Sequence, residues 1–163
     1  MMSPSIRHLL PADLAAVTEV ERESFNVPWS AGMIALELKR EDAVTLAAES
    51  EGRLIGFAIC AREGDDWSLL RIAVRPDERR AGTARHLMAA LLEELPGDAR
   101  MTLEVRESNL AAIAFYERLG FLIGGRRRRY YADTGEDGLI MWRTEGTLRG
   151  SLDDVPNADS SRR

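Results

Sequence analysis

Cysteine is almost absent from this sequence, which has one among 163 residues. Cys60 lies in the apolar run at residues 54–61, so no internal disulfide can form and no second thiol is available for a zinc site. The two histidines, His8 and His86, lack metal-ligand spacing. We therefore expect Cys60 to be a core residue, and we expect the protein to use no metal ion.

Long hydrophobic runs are also missing. No apolar segment approaches the ~20 residues that a membrane-spanning helix requires. Residues 1–14 lack the basic start, apolar middle and small-residue cleavage site of a secretory signal. Positive charge is in deficit too, because 22 Lys and Arg stand against 27 Asp and Glu, for a net charge of -5. These features predict a cytoplasmic protein with no membrane or nucleic acid as a partner.

The length suits one domain, because a chain of 163 residues can bury enough surface to fold without disulfides or metals. We assign that domain to residues 1–143. Residues 144–163 are rich in Ser, Asp, Gly and Asn and poor in apolar residues, which predicts a disordered C-terminal tail. Nothing in the sequence predicts the oligomeric state.

Hydrophobic periodicity predicts both helices and strands. The predicted helices cover residues 14–25, 30–38, 83–95 and 109–119. The predicted strands cover residues 43–49, 54–61, 67–74, 101–105, 121–131 and 138–143, with a β-hairpin at Glu51-Gly52. This order predicts a mixed α/β fold, in which an antiparallel portion joins a βαβ portion and helices flank a central sheet of about six to seven strands.

A candidate anion site lies between Ile72 and Ala84, where a predicted strand leads through a turn into an amphipathic helix. A helix N-terminus presents unpaired backbone N–H groups and the positive end of the helix dipole. Gly82 and the small Ala84 would let a pyrophosphate approach that end closely. From loop composition alone, an ordinary βα turn is an equally good interpretation.

Three residues of the next βα unit could carry chemistry, but each also has a structural explanation. Glu104 lies in mid-strand and projects to one face, where a glutamate is usually solvated. Asn109 is well placed to cap the following helix. Tyr116 shares a helix face with Asn109, where a tyrosine is more often half-buried packing.

Together these segments resemble the GNAT superfamily of acetyltransferases. Arg79-x-x-Gly82-x-Ala84 is similar to the Arg/Gln-x-x-Gly-x-Gly/Ala signature of that family, with Ala84 in place of the second glycine. Residues 103–121 are similar to the second family motif in its ribosomal-protein-alanine N-acetyltransferase form. Three further segments resemble that subgroup, at residues 25–30, 128–131 and 136–141.

The resemblance implies the GNAT acyl-CoA N-acyltransferase fold and transfer of acetyl from acetyl-CoA to the N-terminal alanine of a ribosomal protein, without a metal. It implies that Glu104 acts as general base and Tyr116 as general acid. Candidate acceptor-binding residues are Trp29, Tyr130 and Tyr131. The implied acetyl-CoA-binding residues are Ile72, Ala73, Val74, Arg79, Arg80, Ala81, Gly82, Thr83, Ala84 and Asn109.

Departures from the subgroup pattern leave the acceptor open. Ala132 stands where the subgroup usually carries Pro, and the loop at residues 131–137 is shorter than in some members. Two other functions therefore remain: acetylation of lysine side chains or a small amine, and a CoA-binding module without catalysis. The presence of both Glu104 and Tyr116 argues against the module.

An arginine run occupies residues 126–129 and could be interpreted as a nucleic-acid patch. Alternation along a strand would, however, place only every second arginine on each face. We therefore interpret the run as a solvated edge strand.

Overall fold

The computed structural model describes residues 3–156, which contain four α-helices and seven strands. The helices are α1 (Leu14–Ser24), α2 (Ala31–Leu38), α3 (Thr83–Glu94) and α4 (Leu110–Arg118). The strands are β1 (Ser5–His8), β2 (Ala43–Ser50), β3 (Arg53–Glu63), β4 (Asp66–Val74), β5 (Met101–Arg106), β6 (Leu122–Arg127) and β7 (Gly138–Arg143). None of these helices is long and apolar enough to span a membrane. The same residues contain no cluster of three or more His, Cys, Asp or Glu side chains that could hold a metal ion.

The strands pair in the order β1-β2-β3-β4-β5-β7-β6. The β1–β2, β2–β3, β5–β7 and β6–β7 pairs are antiparallel, whereas β4 and β5 are parallel. The connection from β4 to β5 contains α3, as a parallel crossover requires. The predicted mixed α/β fold, with an antiparallel portion and a βαβ portion, is confirmed.

The chain forms two compact units. The first comprises Met1–Arg62 and Leu69–Gly97, and the second comprises Glu63–Ser68 and Asp98–Arg163, so β4 supplies residues to both. In the first unit, α1 buries its apolar face against β3, and Cys60 is fully buried as predicted. In the second unit the largest fully buried side chains are Phe121, Met101, Leu103 and Met141.

The predicted hairpin joins β2 to β3. Glu51 and Gly52 have φ values of 53° and 77°, and Ser50 pairs with Arg53 across the turn. Two successive residues with positive φ define the tight turn that suits the twist of two antiparallel strands. The glycine occupies one of these positions without steric cost.

Several strand boundaries differ from the prediction by one or two residues, and two strands differ by more. Strand β1 was missed because its four residues show no run of apolar side chains, and its pairing with β2 becomes evident only in three dimensions. Strand β6 ends at Arg127 rather than at residue 131. Arg129 has a φ of 52°, and its N–H donates to Asp137 Oδ1 at 2.9 Å, which turns the chain out of the ladder.

The beginning of the predicted disordered tail has defined structure. Asp154 accepts hydrogen bonds from Thr144 Oγ1 at 2.7 Å and from the Gly146 N–H at 2.9 Å, around a 3-10 turn at Thr147–Arg149. Its polar residues therefore bond to one another within a closed loop rather than only to solvent. The last part of that prediction, residues 157–163, lies outside the described residues.

Candidate active site

The loop at residues 75–82, here called the phosphate loop, connects β4 to α3 in the first unit. Gly82 is the N-cap of α3 and has a φ of 79°, in the left-handed region that glycine adopts freely. Arg80 also has a positive φ of 72°. No side chain caps this helix, so the N–H groups of its first turn are not taken up by a capping hydroxyl or carboxylate.

Side chains around this N-terminus match the requirements of a pyrophosphate. Thr83 is buried, and its Oγ1 atom has no hydrogen-bond partner among residues 3–156. Arg79 and Arg80 are exposed and add two guanidinium groups, and Ala84 adds little bulk. Backbone N–H groups, one buried hydroxyl and two cations together form a donor set that suits an anion at a helix N-terminus.

The end of β4 presents alternate backbone groups to its two edges. The Arg75 N–H donates to the Ile55 C=O at 2.7 Å, so the backbone of Arg75 faces β3. Alternation along the strand then directs the N–H and C=O of Val74 and of Ile72 to the opposite edge, with Ala73 facing β3. The Val74 C=O accepts a hydrogen bond from Arg79 Nε at 3.0 Å. The Val74 N–H is therefore the backbone group of this residue that a ligand at this edge could use.

The parallel ladder between β4 and β5 is short. Among the described residues it consists of two pairs, Trp67↔Met101 and Ser68↔Thr102. The edge of β4 that carries the Ile72 and Val74 backbone groups therefore has no ladder partner in β5. An extended amide chain could bond to that edge as a further strand would.

Glu104 lies on β5 in the second unit, with its side chain 31% exposed and its neighbours Leu103 and Val105 buried on the other face. Arg127 Nε lies 3.3 Å from Glu104 Oε1. Burial raises the pKa of Glu104 above its ordinary value, Arg127 opposes that shift, and Glu63 adds to it. Burial is the largest effect, so this carboxylate holds a proton more strongly than an ordinary glutamate does.

Tyr116 lies on α4 and is 8% exposed. Its ring makes edge contacts with Phe115 and Phe121, at centroid distances of 5.2 and 5.5 Å. Burial, followed by the effect of Tyr131, raises the pKa of Tyr116 above its ordinary value. The hydroxyl therefore stays protonated at neutral pH, which is the state that a proton donor needs.

Asn109 is the N-cap of α4, as predicted. Its side-chain oxygen accepts a hydrogen bond from the Ala112 N–H at 3.2 Å. The side chain is exposed, so it caps the helix at the protein surface.

Tyr130 and Tyr131 follow β6 and pack against each other with centroids 5.1 Å apart. The Arg106 guanidinium lies 4.1 Å from the Tyr131 ring centroid, and that of Arg127 lies 5.5 Å from the Tyr130 ring centroid. Burial raises the pKa of Tyr131 to about 12. The same Arg127 lies 3.3 Å from Glu104 Oε1, so in the second unit one arginine contacts both the Tyr130 ring and the carboxylate.

Trp29 belongs to the first unit, in the loop between α1 and α2 at residues 25–30. Its backbone N–H donates to Glu21 Oε2 at 2.8 Å, and its ring centroid lies 4.8 Å from the Arg71 guanidinium carbon. The side chain is half-buried and packs against the apolar core of this unit. These contacts hold the loop against the core of the first unit.

Three charged residues near these candidates had no predicted role. Alternation along β6 could have assigned the Arg127 side chain to one sheet face, but its partner Glu104 lies on a different strand. Glu21 and Arg71 are 50 positions apart, and no local pattern connects them. The position of β6 at the end of the strand order agrees with the predicted edge strand.

Comparison with known proteins gives consistent similarities. The sequence profile described as the acetyltransferase (GNAT) family matches residues 14–121. The ribosomal protein bS18-alanine N-acetyltransferase of Escherichia coli is 39% identical over 141 residues, which cover 84% of this chain and 95% of that relative.

Solved structures show the same similarity. The crystal structure of the ribosomal-protein-S18-alanine N-acetyltransferase from Escherichia coli has a TM-score of 0.81 at 38% identity, covering 86% of this chain and 93% of that one. The paia N-acetyltransferase from Thermoplasma acidophilum, in complex with coenzyme A, has a TM-score of 0.70 at 23% identity, covering 88% and 99%. At that lower identity the likeness shows a shared fold.

Proposed function

The chain belongs to the acetyltransferase (GNAT) family, and we propose that it transfers the acetyl group of acetyl-CoA to the α-amine of an N-terminal alanine on a ribosomal protein. One observation carries the proposal: the second unit holds a carboxylate with a raised pKa, Glu104, and a buried protonated phenol, Tyr116. A general base and a general acid both accelerate the acylation of an amine by a thioester. The relative named for this reaction is 39% identical over 84% of the chain.

Acetyl-CoA is the cosubstrate, and the residues of the first unit fit it. When bound, it supplies an activated acetyl thioester. The phosphate loop and the buried Thr83 hydroxyl would bind the pyrophosphate, while the Ile72 backbone groups would bind the amide-containing arm. The Val74 N–H would be the donor for the acetyl carbonyl oxygen, and this hydrogen bond would polarise the carbonyl carbon for attack. Asn109 is the remaining residue that the resemblance assigns to the cosubstrate.

Glu104 is the general base of the proposed reaction. A model α-amine has a pKa of ~7.7 to 8.0, against ~10.4 for lysine, so an N-terminal acceptor needs only modest help to lose its proton. A carboxylate with a raised pKa is a better base near neutral pH than an ordinary glutamate. Glu104 therefore takes a proton from the amine nitrogen as it attacks.

Tyr116 is the general acid. Its hydroxyl remains protonated through neutral pH and gives its proton to the departing sulfur atom. The proton balance then closes, because one proton leaves the amine and one arrives at the thiol. No covalent bond to the protein is needed.

The acceptor peptide contacts Trp29, Tyr130 and Tyr131 in this proposal. Aromatic side chains offer large contact surfaces with one polar end, which suits a short peptide segment. Ribosomal proteins are made in the cytoplasm, so we place the reaction there. The net charge of -5 suits a basic protein partner.

Mass spectrometry tests the proposal directly. A peptide that begins with alanine and contains an internal lysine is incubated with the protein and acetyl-CoA, beside the same peptide with its α-amine blocked. We expect one added acetyl group on the free peptide, located on its first residue, and none on the blocked peptide. Acetylation of the lysine in the blocked peptide would instead make the side chain the acceptor. Binding of acetyl-CoA with no transfer to either peptide would contradict catalysis.

A further inference from the structure

A buried carboxylate outside the proposed chemistry contacts the α1–α2 loop, residues 25–30. Glu21 is fully buried on α1, and its Oε2 atom accepts hydrogen bonds from Arg71 Nη2 at 2.7 Å and from the Trp29 N–H at 2.8 Å. One carboxylate oxygen thus joins a side chain of β4 to the backbone of the loop. All three residues belong to the first unit.

Arg71 contacts the same loop at three positions. Its guanidinium carbon lies 4.0 Å from the Phe25 ring centroid and 4.8 Å from the Trp29 ring centroid. Its Nη2 atom lies 3.4 Å from the Val27 C=O. A planar guanidinium can stack on rings and donate in its own plane at once, which a lysine in that position could not do.

This cluster is not needed to attach α1 to β4. Arg75, which directly follows β4, already bonds to Glu19 Oε1 at 2.6 Å and to Glu23 Oε1 at 3.3 Å. The Glu21 cluster also has a cost, because Glu21 Oε1, Ser24 Oγ and Arg71 Nε are buried without hydrogen-bond partners among the described residues. Unsatisfied buried polar atoms destabilise a fold, so an explanation other than stability is required.

We propose that Glu21 and Arg71 are positioning residues that hold the α1–α2 loop in the conformation that receives the acceptor peptide. They act through the Trp29 backbone and the Phe25 and Trp29 rings, and they take no part in proton transfer. Arg71 also directly precedes Ile72, so its contacts connect the loop to the strand segment that is assigned to acetyl-CoA. The inference rests on the proposed function in assigning Trp29 to the acceptor.

Steady-state kinetics of Arg71→Met test this role. We expect KM for the acceptor peptide to rise about tenfold, from the lost stacking and hydrogen bonds, with KM for acetyl-CoA changed less than about twofold. Arg40→Met is the matched control, because Arg40 bonds to Glu37 and Asp42 elsewhere in the first unit. It should leave both KM values unchanged.

The double variant Glu21→Gln/Arg71→Met separates positioning from stability. Glu21→Gln alone leaves Arg71 without its carboxylate and should lower Tm, whereas the double variant removes both charges and should recover most of that loss. Acceptor KM should nevertheless stay raised in the double variant, because the stacking on Phe25 and Trp29 remains absent. Recovery of acceptor KM together with Tm would overturn the proposal.

Failure of the positioning role can be distinguished from failure of the proposed function. If the wild type acetylates only lysine in the blocked peptide, the N-terminal reaction is wrong, and the same KM comparison on that peptide still tests the loop. Equal rises in both KM values, or an unchanged acceptor KM in Arg71→Met, would overturn the positioning role alone. A wild type that acetylates neither peptide overturns both.

Discussion

Arg127 Nε lies 3.3 Å from Glu104 Oε1, so the proposed base is held beside a fixed positive charge. Burial raises the pKa of Glu104 and the guanidinium lowers it. A base with too high a pKa would be protonated at neutral pH and could not accept a proton. We infer that Arg127 limits the rise that burial causes in the pKa of Glu104.

Replacing Arg127 by glutamine should raise the pKa of Glu104 further, because the nearest opposing charge is lost. Glu104 would then be protonated at a higher pH than in the wild type. The measurement is a pH titration of side-chain carboxyl carbon signals by NMR, with Glu104→Gln to assign the signal. A Glu104 pKa that stays constant or falls in Arg127→Gln would show that the arginine does not tune this carboxylate.

Removal of the Tyr116 hydroxyl should slow the reaction without loosening the cosubstrate. We expect Tyr116→Phe to lower kcat about 10²-fold, the usual contribution of one general acid, and to leave the Kd of coenzyme A unchanged. The phenylalanine ring keeps the contacts with Phe115 and Phe121. Equal losses of kcat and of coenzyme A affinity would argue against proton donation.

The left-handed backbone at the phosphate loop gives a paired test with two glycines of the first unit. Gly82→Ala and Gly52→Ala both place a side chain at a positive φ, 79° and 77°, and each should cost about 1 kcal/mol of the free energy of unfolding. Only Gly82→Ala should weaken coenzyme A binding, as measured by calorimetry. Similar binding in both variants would mean that the N-terminus of α3 does not hold the pyrophosphate.

Asp154 should make the loop after β7 sensitive to acid. Hydrogen bonds from Thr144 and Gly146 lower the pKa of Asp154, so their stabilising effect is present at neutral pH and is lost as pH falls through that lowered pKa. Asp154→Asn should accelerate hydrogen exchange of the Gly146 amide at neutral pH, whereas the exposed neighbour variant Asp153→Asn should not. Equal exchange rates in the two variants would contradict the assigned bonds.

Sequence periodicity predicted most of the fold because most elements bury one face. The period of two in residues 101–105 and the helical spacing in residues 83–95 both correspond to observed elements. Strand β1 was not predicted, because it is short and its partner β2 lies far away along the chain. The structured start of the tail was not predicted, because composition gives only the average hydrophobicity of a segment. It carries no information about a specific hydrogen bond such as that between Asp154 and Thr144.

The candidate site was predictable where a motif keeps its residues close in sequence. Gly82, Glu104 and Tyr116 all lie within two segments that resemble family motifs. Contacts between distant residues could not be predicted in that way. The stacking of Arg71 on Phe25 requires two elements 46 positions apart to pack together, and one sequence carries no signal for that pairing.

The burial of the one cysteine has a practical result for assays. Cys60 is fully buried in β3, so a colour-forming thiol reagent has no access to it in the folded protein. Each acetyl transfer releases the thiol of coenzyme A into solution, where the reagent reacts at once. With the acceptor present, the initial rise in absorbance therefore measures the amount of coenzyme A released. With neither acceptor nor acetyl-CoA, a slow rise in absorbance would measure the unfolding that exposes Cys60.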